Sequence, residues 1–210
     1  MKNPRLEVIK YAKMLNSKKL SALRSGNISV RCKNGFLVTP SGTKYYSLKS
    51  KDIVFVSLNG EFDEKNGTPS SEWRFHQDIY KNKIEAKAIV HAHSNCATAI
   101  STHGKRIPAF HYMVAMAGGN DIKCAKYATY GTRELSKNIL KALRQRNACL
   151  IGNHGQIAFS ESLTKAFELA EEVENLSNQY INALKIGKPK ILSSKEMNKV
   201  LSKAKNYKRG

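Results

Sequence analysis

Short apolar runs of strand length alternate with segments of helical periodicity along this chain of 210 residues. Apolar residues spaced three and four apart indicate helices, and short runs of apolar and β-branched residues indicate strands. Helices are predicted at residues 4–20, 71–82, 133–143, 163–180 and 194–205, and strands at residues 27–31, 36–39, 53–58, 86–91, 148–151 and 156–159. Strands mixed with helices at this density predict an α/β or α+β fold. We interpret residues 1–210 as one domain, because no repeat, low-complexity tract or long linker interrupts them.

Two local signals sharpen this assignment. The pair Asn34-Gly35 between the first two predicted strands is a strong hairpin signal. Thr132 stands immediately before a helical pattern and is predicted to be its N-cap residue, because a threonine hydroxyl accepts a hydrogen bond from a free backbone N–H group.

Composition narrows the class of protein. The formal net charge is +20, which indicates a basic, solvated surface and leaves polyanion binding open; a positive field would also attract a phosphorylated substrate. No apolar run reaches the length of a membrane span, and the N-terminus lacks the pattern of a secretory signal. The four cysteines form no CxxC pair, so we expect reduced thiols in a cytoplasmic protein.

The strand predicted at residues 86–91 runs into the sequence His91-Ala92-His93. Side chains at positions i and i+2 of a strand point to the same face, so these two imidazoles aim at one point. The alternative is a pair of hydrogen-bonded polar residues at a strand end. Because an apolar strand seldom ends in two histidines on one face without a use for them, we favour metal binding.

His154 lies in a tight turn between Gly152 and Gly155, directly after another apolar strand. Functional sites in α/β proteins are commonly built at strand ends. A third imidazole would complete a set of three nitrogen ligands, which suits a catalytic zinc ion that keeps one position open for substrate.

Glu72 begins the helix predicted at residues 71–82. A carboxylate there either favours the helix dipole or lies near the metal, where it could also act as a base. Sequence spacing alone does not place it beside the histidine pair. His76, His103 and His111 remain alternative ligands, and His76 is the chief competitor because it lies one helical turn from Glu72 on the same face.

Three segments of small residues are typical of anion binding. Residues 25–29 (Ser-Gly-Asn-Ile-Ser) precede a strand, and residues 39–43 (Thr-Pro-Ser-Gly-Thr) follow the next one. Glycine lets backbone N–H groups approach an anion closely, and a serine hydroxyl adds a donor. Ser70 and Ser71 at a helix start add free N–H groups at the favourable end of the helix dipole.

Motifs of one known family are spread over nearly the whole chain without large gaps. The most specific are Ser-Ser-Glu-Trp-Arg-Phe-His at residues 70–76 and Tyr-Ala-Thr-Tyr-Gly-Thr-Arg-Glu-Leu at residues 127–135. Others lie at residues 26–31, 39–42, 90–93, 107–113, 117–120 and 153–155. On these residues the chain resembles the class II aldolase/adducin family, and within it most closely the aldolases that cleave L-fuculose 1-phosphate.

The resemblance implies roles for individual residues. Zinc, one ion per subunit, is assigned to Glu72, His91, His93 and His154, and His76 becomes structural. The substrate phosphate is assigned to Gly26, Asn27, Ser41, Gly42, Ser70 and Ser71. Glu72 is also implied to be a catalytic residue, together with Tyr112, an acid near the aldehyde oxygen that reaches the site of a neighbouring subunit. Tyr130 and Tyr207 fall where the family places aromatic residues that shape the aldehyde end.

The resemblance also implies a fold, an assembly and a reaction. The implied fold is a single three-layer α/β domain with a central, mostly antiparallel sheet flanked by helices, assembled as a homotetramer with interfacial active sites. The implied reaction is the reversible cleavage of L-fuculose 1-phosphate, or of a similar ketose 1-phosphate, to dihydroxyacetone phosphate and a short aldehyde such as L-lactaldehyde.

Some positions depart from the family pattern. Arg24 stands just before the Gly-Asn turn where a small hydroxyl residue is usual, and the loop of residues 21–25 also differs. Tyr130 stands where phenylalanine is usual, and the tail around Tyr207 is short and basic. These departures concern the aldehyde specificity and leave the type of reaction standing.

Rival activities remain open at this stage. The same scaffold hosts pentulose-phosphate 4-epimerases, a methylthioribulose-phosphate dehydratase, and aldolases acting on rhamnulose or 5-deoxyribulose phosphates. A non-catalytic interaction module, as in adducin, is expected to have lost metal ligands, whereas all four are present here. A nucleic-acid-binding module is suggested only by the net charge, since no motif of that class accompanies it.

Overall fold

The computed structural model describes residues 3–207, and for residues 205–207 it describes the backbone only. The helices are α1 (Pro4–Ser17), α2 (Trp73–Asn82), α3 (Asn95–Ser101), α4 (Arg133–Ala142), α5 (Leu163–Ile186) and α6 (Ser194–Tyr207). The strands are β1 (Asn27–Cys32), β2 (Gly35–Val38), β3 (Val54–Ser57), β4 (Ala88–Ala92), β5 (Ile107–Pro108), β6 (Asp121–Ile122), β7 (Cys124–Ala125), β8 (Ala148–Ile151) and β9 (Gly155–Ser160). Short 3-10 helices lie at Tyr45–Ser47, Ser50–Asp52, Glu64–Asn66 and Tyr112–Ala117.

Seven strands form one central sheet in the order β3-β2-β1-β4-β9-β8-β7. Every neighbouring pair is antiparallel except β7 and β8, which run parallel. Strands β5 and β6 form a separate antiparallel pair. The mostly antiparallel central sheet predicted above is therefore confirmed.

Helices cover both faces of this sheet and enclose two apolar cores. Helices α1, α3 and α5 pack on one face, where the core includes Val90 of β4 and Phe167 of α5. Helices α2 and α4 pack on the other face, where the core includes Ile89 of β4 and Phe75 of α2. Side chains alternate between the two faces along β4, because the side-chain period of a strand is two. The three-layer α/β arrangement is confirmed.

Local capping and turn signals were largely right. Thr132 is the N-cap residue of α4, and its hydroxyl accepts a hydrogen bond from Leu135 N at 3.2 Å. The β1–β2 hairpin forms, but its turn is one residue earlier than predicted, since Gly35 already pairs with Cys32. Asn34 takes the left-handed conformation at φ 62°. Gly35 instead serves close packing, because an added Cβ would lie 2.3 Å from Val56 O.

The predictions missed the shortest elements. Helix α3 and strands β5 to β7 carry too few residues to establish a periodicity. The four cysteines are free thiols, in line with the prediction of reduced cysteines. Among residues 3–207, no helix has the length and apolar character needed to span a membrane.

Candidate metal centre

Three segments that are distant in sequence bring four side chains together on the α2 side of the sheet. His91 belongs to β4 and His93 follows its last residue, while His154 lies in the turn between β8 and β9. Glu72 is the N-cap residue of α2. Ile89 of β4 packs in the core beneath α2, and a period of two directs the two histidines that follow toward the same side.

The turn that carries His154 lies directly against the end of β4. Gly155 pairs with Ile151, and a Cβ added to it would lie 2.4 Å from the carbonyl oxygen of Ala92. Only a residue without a side chain allows this close approach. Asn153 at φ 52° takes the left-handed conformation that the turn requires.

Glu72 occupies the N-cap position of α2, but its side chain does not cap the helix. Its backbone has φ −103° and ψ 11°, and its carboxylate makes no capping hydrogen bond. Because the backbone at Glu72 is not helical, the helix begins at Trp73, two residues later than the prediction of 71–82. The side chain of Glu72 is directed inward, and the residue is only 7% exposed.

The four ligand atoms lie within 4.8 Å of one another. Glu72 Oε2 is 3.2 Å from His91 Nε2, and Glu72 Oε1 is 3.1 Å from His154 Nε2. His91 Nε2 and His93 Nε2 are 2.9 Å apart. Each pair of the three imidazole rings has centroids 4.8 Å apart, with interplanar angles of 70°, 83° and 71°. The three rings therefore converge on one point with their nitrogens inward.

Hydrogen bonding fixes which nitrogen of His91 faces this point. His91 Nδ1 lies 2.8 Å from the carbonyl oxygen of Gln156, which can only accept, so Nδ1 carries the proton. In the neutral ring, Nε2 then offers its lone pair to the cluster. A backbone carbonyl that accepts from the outer nitrogen of the ring typically orients a metal-binding histidine.

The electrostatic environment favours the protonation states that bind a cation, an ionised Glu72 and a neutral His93. Burial raises the pKa of Glu72, but the imidazoles of His91 and His154 lower it by more, so the pKa lies well below its usual range. Burial, reinforced by His91 and His154, lowers the pKa of His93 to about 3. The carboxylate is thus ionised and His93 is neutral at pH 7.

These atoms fit a small divalent cation. The buried Oε1 of Glu72 accepts no hydrogen bond, although it lies close to His154. Ligand atoms of a tetrahedral zinc ion with bonds of about 2.0–2.1 Å are separated by about 3.3 Å, close to the spacing found here. With its proton on Nδ1, neutral His91 turns the lone pair of Nε2 toward Glu72 Oε2 at 3.2 Å, and a cation between them would compensate both lone pairs in this buried site.

The competing histidines take no part in this cluster. His76 is fully buried, and its nitrogens contact Asn27 Oδ1 at 2.5 Å and Ser29 Oγ at 2.7 Å. Burial, with the nearby His91, lowers the pKa of His76 to about 3, so its ring is neutral. His103 and His111 lie outside the group of potential ligands among the described residues.

A cavity of about 400 Å³ opens beside the cluster, which is within the size range of small-molecule sites. Glu72, His93 and His154 form part of its wall. All the residues predicted to hold a phosphate line the same cavity, namely Gly26, Asn27, Ser41, Gly42, Ser70 and Ser71. The structure therefore brings the predicted ligand set and the predicted phosphate segments to one place.

The two glycine-containing turns meet across this cavity. Gly26 has φ +77°, and an added Cβ would lie 2.7 Å from the backbone oxygen of His91, so the first turn packs directly on β4. Arg24 Nη1 donates a hydrogen bond of 2.6 Å to the carbonyl oxygen of Gly42. The departure at Arg24 therefore connects the two turns.

The predicted aromatic residues occupy different places. Tyr130 lines the cavity and is 66% exposed. Tyr112 is 54% exposed and does not line this cavity. The side chain of Tyr207 lies outside the described residues. Tyr127 and Asn153 also line the cavity without having been predicted, although both lie in the family motifs and at strand ends, a position that could have suggested them.

Comparisons with known proteins agree with this geometry. The family model of the Class II Aldolase and Adducin N-terminal domain matches residues 6–181. The L-fuculose phosphate aldolase of Escherichia coli (strain K12) is 48% identical over 184 residues, which cover 87% of this chain and 85% of that protein. A 5-methylthioribulose-1-phosphate/5-deoxyribulose-1-phosphate aldolase of Rhodospirillum rubrum is 46% identical over 200 residues, which cover 95% of this chain and 90% of that protein.

A solved structure of an L-fuculose 1-phosphate aldolase is similar over the whole fold. It has a TM-score of 0.93 and 39% sequence identity, and the match covers 98% of this chain and 97% of that one. The chain therefore belongs to the class II aldolase/adducin family and is a metal-dependent aldolase.

Proposed function

We propose that the protein is a zinc-dependent aldolase that reversibly cleaves L-fuculose 1-phosphate to dihydroxyacetone phosphate and L-lactaldehyde. The observation that carries this proposal is the convergence of Glu72 and three imidazoles beside a cavity that the predicted phosphate-binding turns also line. A second candidate substrate is 5-deoxyribulose 1-phosphate, which would yield acetaldehyde. It is favoured by the similarity to the Rhodospirillum rubrum enzyme over almost the whole chain.

Zinc would be held by Glu72, His91, His93 and His154. Three nitrogens and one carboxylate oxygen match the ligands that zinc prefers. When bound, the ion supplies Lewis-acid stabilisation of the negative charge that develops on the substrate oxygens.

Glu72 would move the proton. In the synthetic direction its ionised carboxylate removes a proton from the hydroxymethyl carbon of dihydroxyacetone phosphate, and the electron pair of the broken C–H bond forms the enediolate. In cleavage, the protonated side chain returns that proton to the same carbon. The carboxylate can serve as this base once it leaves the metal as substrate arrives, because it then lies within hydrogen-bond reach of the substrate.

Tyr112 would exchange a proton with the oxygen of the aldehyde from a neighbouring subunit. Its exposure, together with its absence from the wall of the cavity beside the metal cluster, supports a site completed by a second copy. We therefore propose a homotetramer with interfacial active sites, in which Tyr130, and by the family resemblance Tyr207, border the aldehyde end.

Arg24 would add a fixed positive charge to the phosphate subsite. It is the only lysine or arginine among the described residues that line the cavity. Its bond to Gly42 uses one of the five guanidinium N–H donors, which leaves others for the substrate.

Replacing Arg24 with glutamine is expected to raise KM for the ketose phosphate about tenfold with little change in kcat. The expected loss of about 1.4 kcal/mol fits a partly solvated, charge-assisted hydrogen bond. Loss of binding that is equal in the ground and transition states raises KM alone. Steady-state kinetics on Arg24→Gln and on the charge-conserving control Arg24→Lys measure the changes in KM and kcat separately. An unchanged KM in both variants would remove Arg24 from phosphate binding.

A substrate panel tests the proposed function. Zinc-loaded protein is incubated with the 1-phosphates of L-fuculose, L-rhamnulose and 5-deoxyribulose, and the release of dihydroxyacetone phosphate is followed by its enzymatic reduction. We expect the highest kcat/KM on L-fuculose 1-phosphate. A higher value on 5-deoxyribulose 1-phosphate would select the second candidate, and no triose phosphate from any of the three would reject the proposal.

A further inference from the structure

A continuous series of hydrogen bonds runs from Glu72 through Asn27, which also borders the cavity, into the core between β1 and α2. Asn27 Nδ2 donates to Glu72 Oε2 at 3.0 Å, and Asn27 Oδ1 lies 2.5 Å from His76 Nε2. His76 Nδ1 lies 2.7 Å from Ser29 Oγ, which lies 2.7 Å from Tyr80 OH. All five residues are buried.

Matching periodicities of β1 and α2 produce this arrangement. Glu72, His76 and Tyr80 are four residues apart and share one face of the helix, with a rise of about 6 Å per step. Asn27 and Ser29 are two residues apart and share one face of the strand, with a rise of about 6.7 Å. Because the two repeats nearly coincide, the side chains of helix and strand interleave in alternation.

The direction of each hydrogen bond follows from the chemistry of its partners. The carboxylate of Glu72 can only accept, so the amide nitrogen of Asn27 faces it and the amide oxygen faces His76. That oxygen also only accepts, so His76 carries its proton on Nε2. Its bare Nδ1 then accepts from the hydroxyl of Ser29, which in turn accepts from Tyr80.

The end of the hydrogen-bonded series farthest from Glu72 is held by Arg31. Arg31 lies on the same face of β1 as Asn27 and Ser29, and its guanidinium donates to the carbonyl oxygens of Tyr80, Lys83 and Ala86. The carbonyl of Tyr80 belongs to the last turn of α2, where carbonyl groups lack a partner within the helix, and the other two lie just beyond it. The same guanidinium stacks over the ring of Tyr80, with its carbon 4.8 Å from the ring centroid. The helix is thereby held in a fixed register against the strand.

We propose that His76 is a positioning residue for Glu72, acting through Asn27 and held in its tautomer by Ser29 and Tyr80. These hydrogen bonds hold Oε2, which also lies 3.2 Å from His91 Nε2, and so set the direction of Oε1, which accepts no hydrogen bond and lies 3.1 Å from His154 Nε2. This inference rests on the proposed catalytic role of Glu72. It gives His76 a defined task in place of the general structural role that the family resemblance implied.

Replacing His76 with phenylalanine is the most direct test. The ring still packs against Phe36 and Phe75, but the donor to Asn27 is lost. We expect kcat for the ketose phosphate to fall about 10- to 100-fold, with KM changed by less than about threefold, since such partners of metal ligands commonly contribute that much. Zinc affinity, measured by competition with a chromogenic chelator, should weaken by a similar factor.

Two further variants separate positioning from packing. His76→Gln supplies an amide N–H donor again and should recover part of the lost kcat and zinc affinity. Ile79→Ala removes a fully buried side chain from the same helix without touching the hydrogen-bonded chain. It should lower the melting temperature yet keep the wild-type kcat and zinc affinity at a temperature where it is folded. If His76→Phe does not fold, Ser29→Ala is used, with a smaller fall in kcat expected.

Failure of the positioning role and failure of the proposed function give different results. Wild-type kcat and zinc affinity in folded His76→Phe, or in Ser29→Ala if it is needed, would overturn the inference, as would an equal loss of both quantities in Ile79→Ala. If the wild-type protein cleaves no ketose 1-phosphate, the proposed function fails. The zinc titrations of the same variants would still decide whether His76 positions the carboxylate.

Discussion

Glu72→Gln is expected to lower kcat for ketose phosphate cleavage by about a thousandfold while the protein stays folded. General acid–base catalysis by a positioned side chain typically contributes 10²- to 10⁴-fold, and an amide cannot take up the proton. Glutamine has nearly the same shape, and its amide oxygen can still accept the hydrogen bond from Asn27. The substitution should therefore lower the rate of the chemical step and have little effect on stability.

Steady-state kinetics with zinc-loaded protein measure this effect, and elemental analysis of each preparation shows whether zinc is retained. Glu64→Gln is the matched control, because Glu64 lies exposed in a 3-10 helix outside the cavity. The control should keep wild-type activity. If Glu72→Gln cleaves the substrate at the wild-type rate, Glu72 has no part in the mechanism.

Exhaustive chelation is expected to abolish activity, and zinc is expected to restore it. Four ligand atoms within 4.8 Å of one another would then lose the cation that separates their lone pairs. A ligand that binds only the folded protein at 100 to 1,000 times its Kd stabilises it by about 2.7–4.1 kcal/mol. The metal-free protein should therefore also have a lower melting temperature.

The measurement compares activity and thermal unfolding after dialysis with and without chelator, and again after zinc is added to each sample. Dialysis alone should leave both properties unchanged. Activity that persists in metal-free protein would point instead to a lysine that forms a Schiff base with the ketose.

Several features of the fold and the site were correctly predicted because they depend on neighbouring residues. Thr132 caps α4 through a hydrogen bond that spans only three positions. His91 and His93 meet at their nitrogens because a strand repeats every two residues. The turn after Cys32 was placed one residue too late, because the Asn-Gly signal carries no information about the close contact of Gly35 with Val56 of β3.

The sequence by itself determined the alternation of helices and strands, the shared face of His91 and His93, and the glycine-containing turns, since each follows from the geometry of a few adjacent residues. Beyond what the family resemblance implied, only the tertiary structure decided that Glu72 joins the histidines and that His76 is connected to it through Asn27. The bonds that decide this, from Asn27 to Glu72 and from His91 to Gln156, span 45 and 65 positions. Contacts of that range depend on strand register and on where α2 packs, and no local periodicity specifies either.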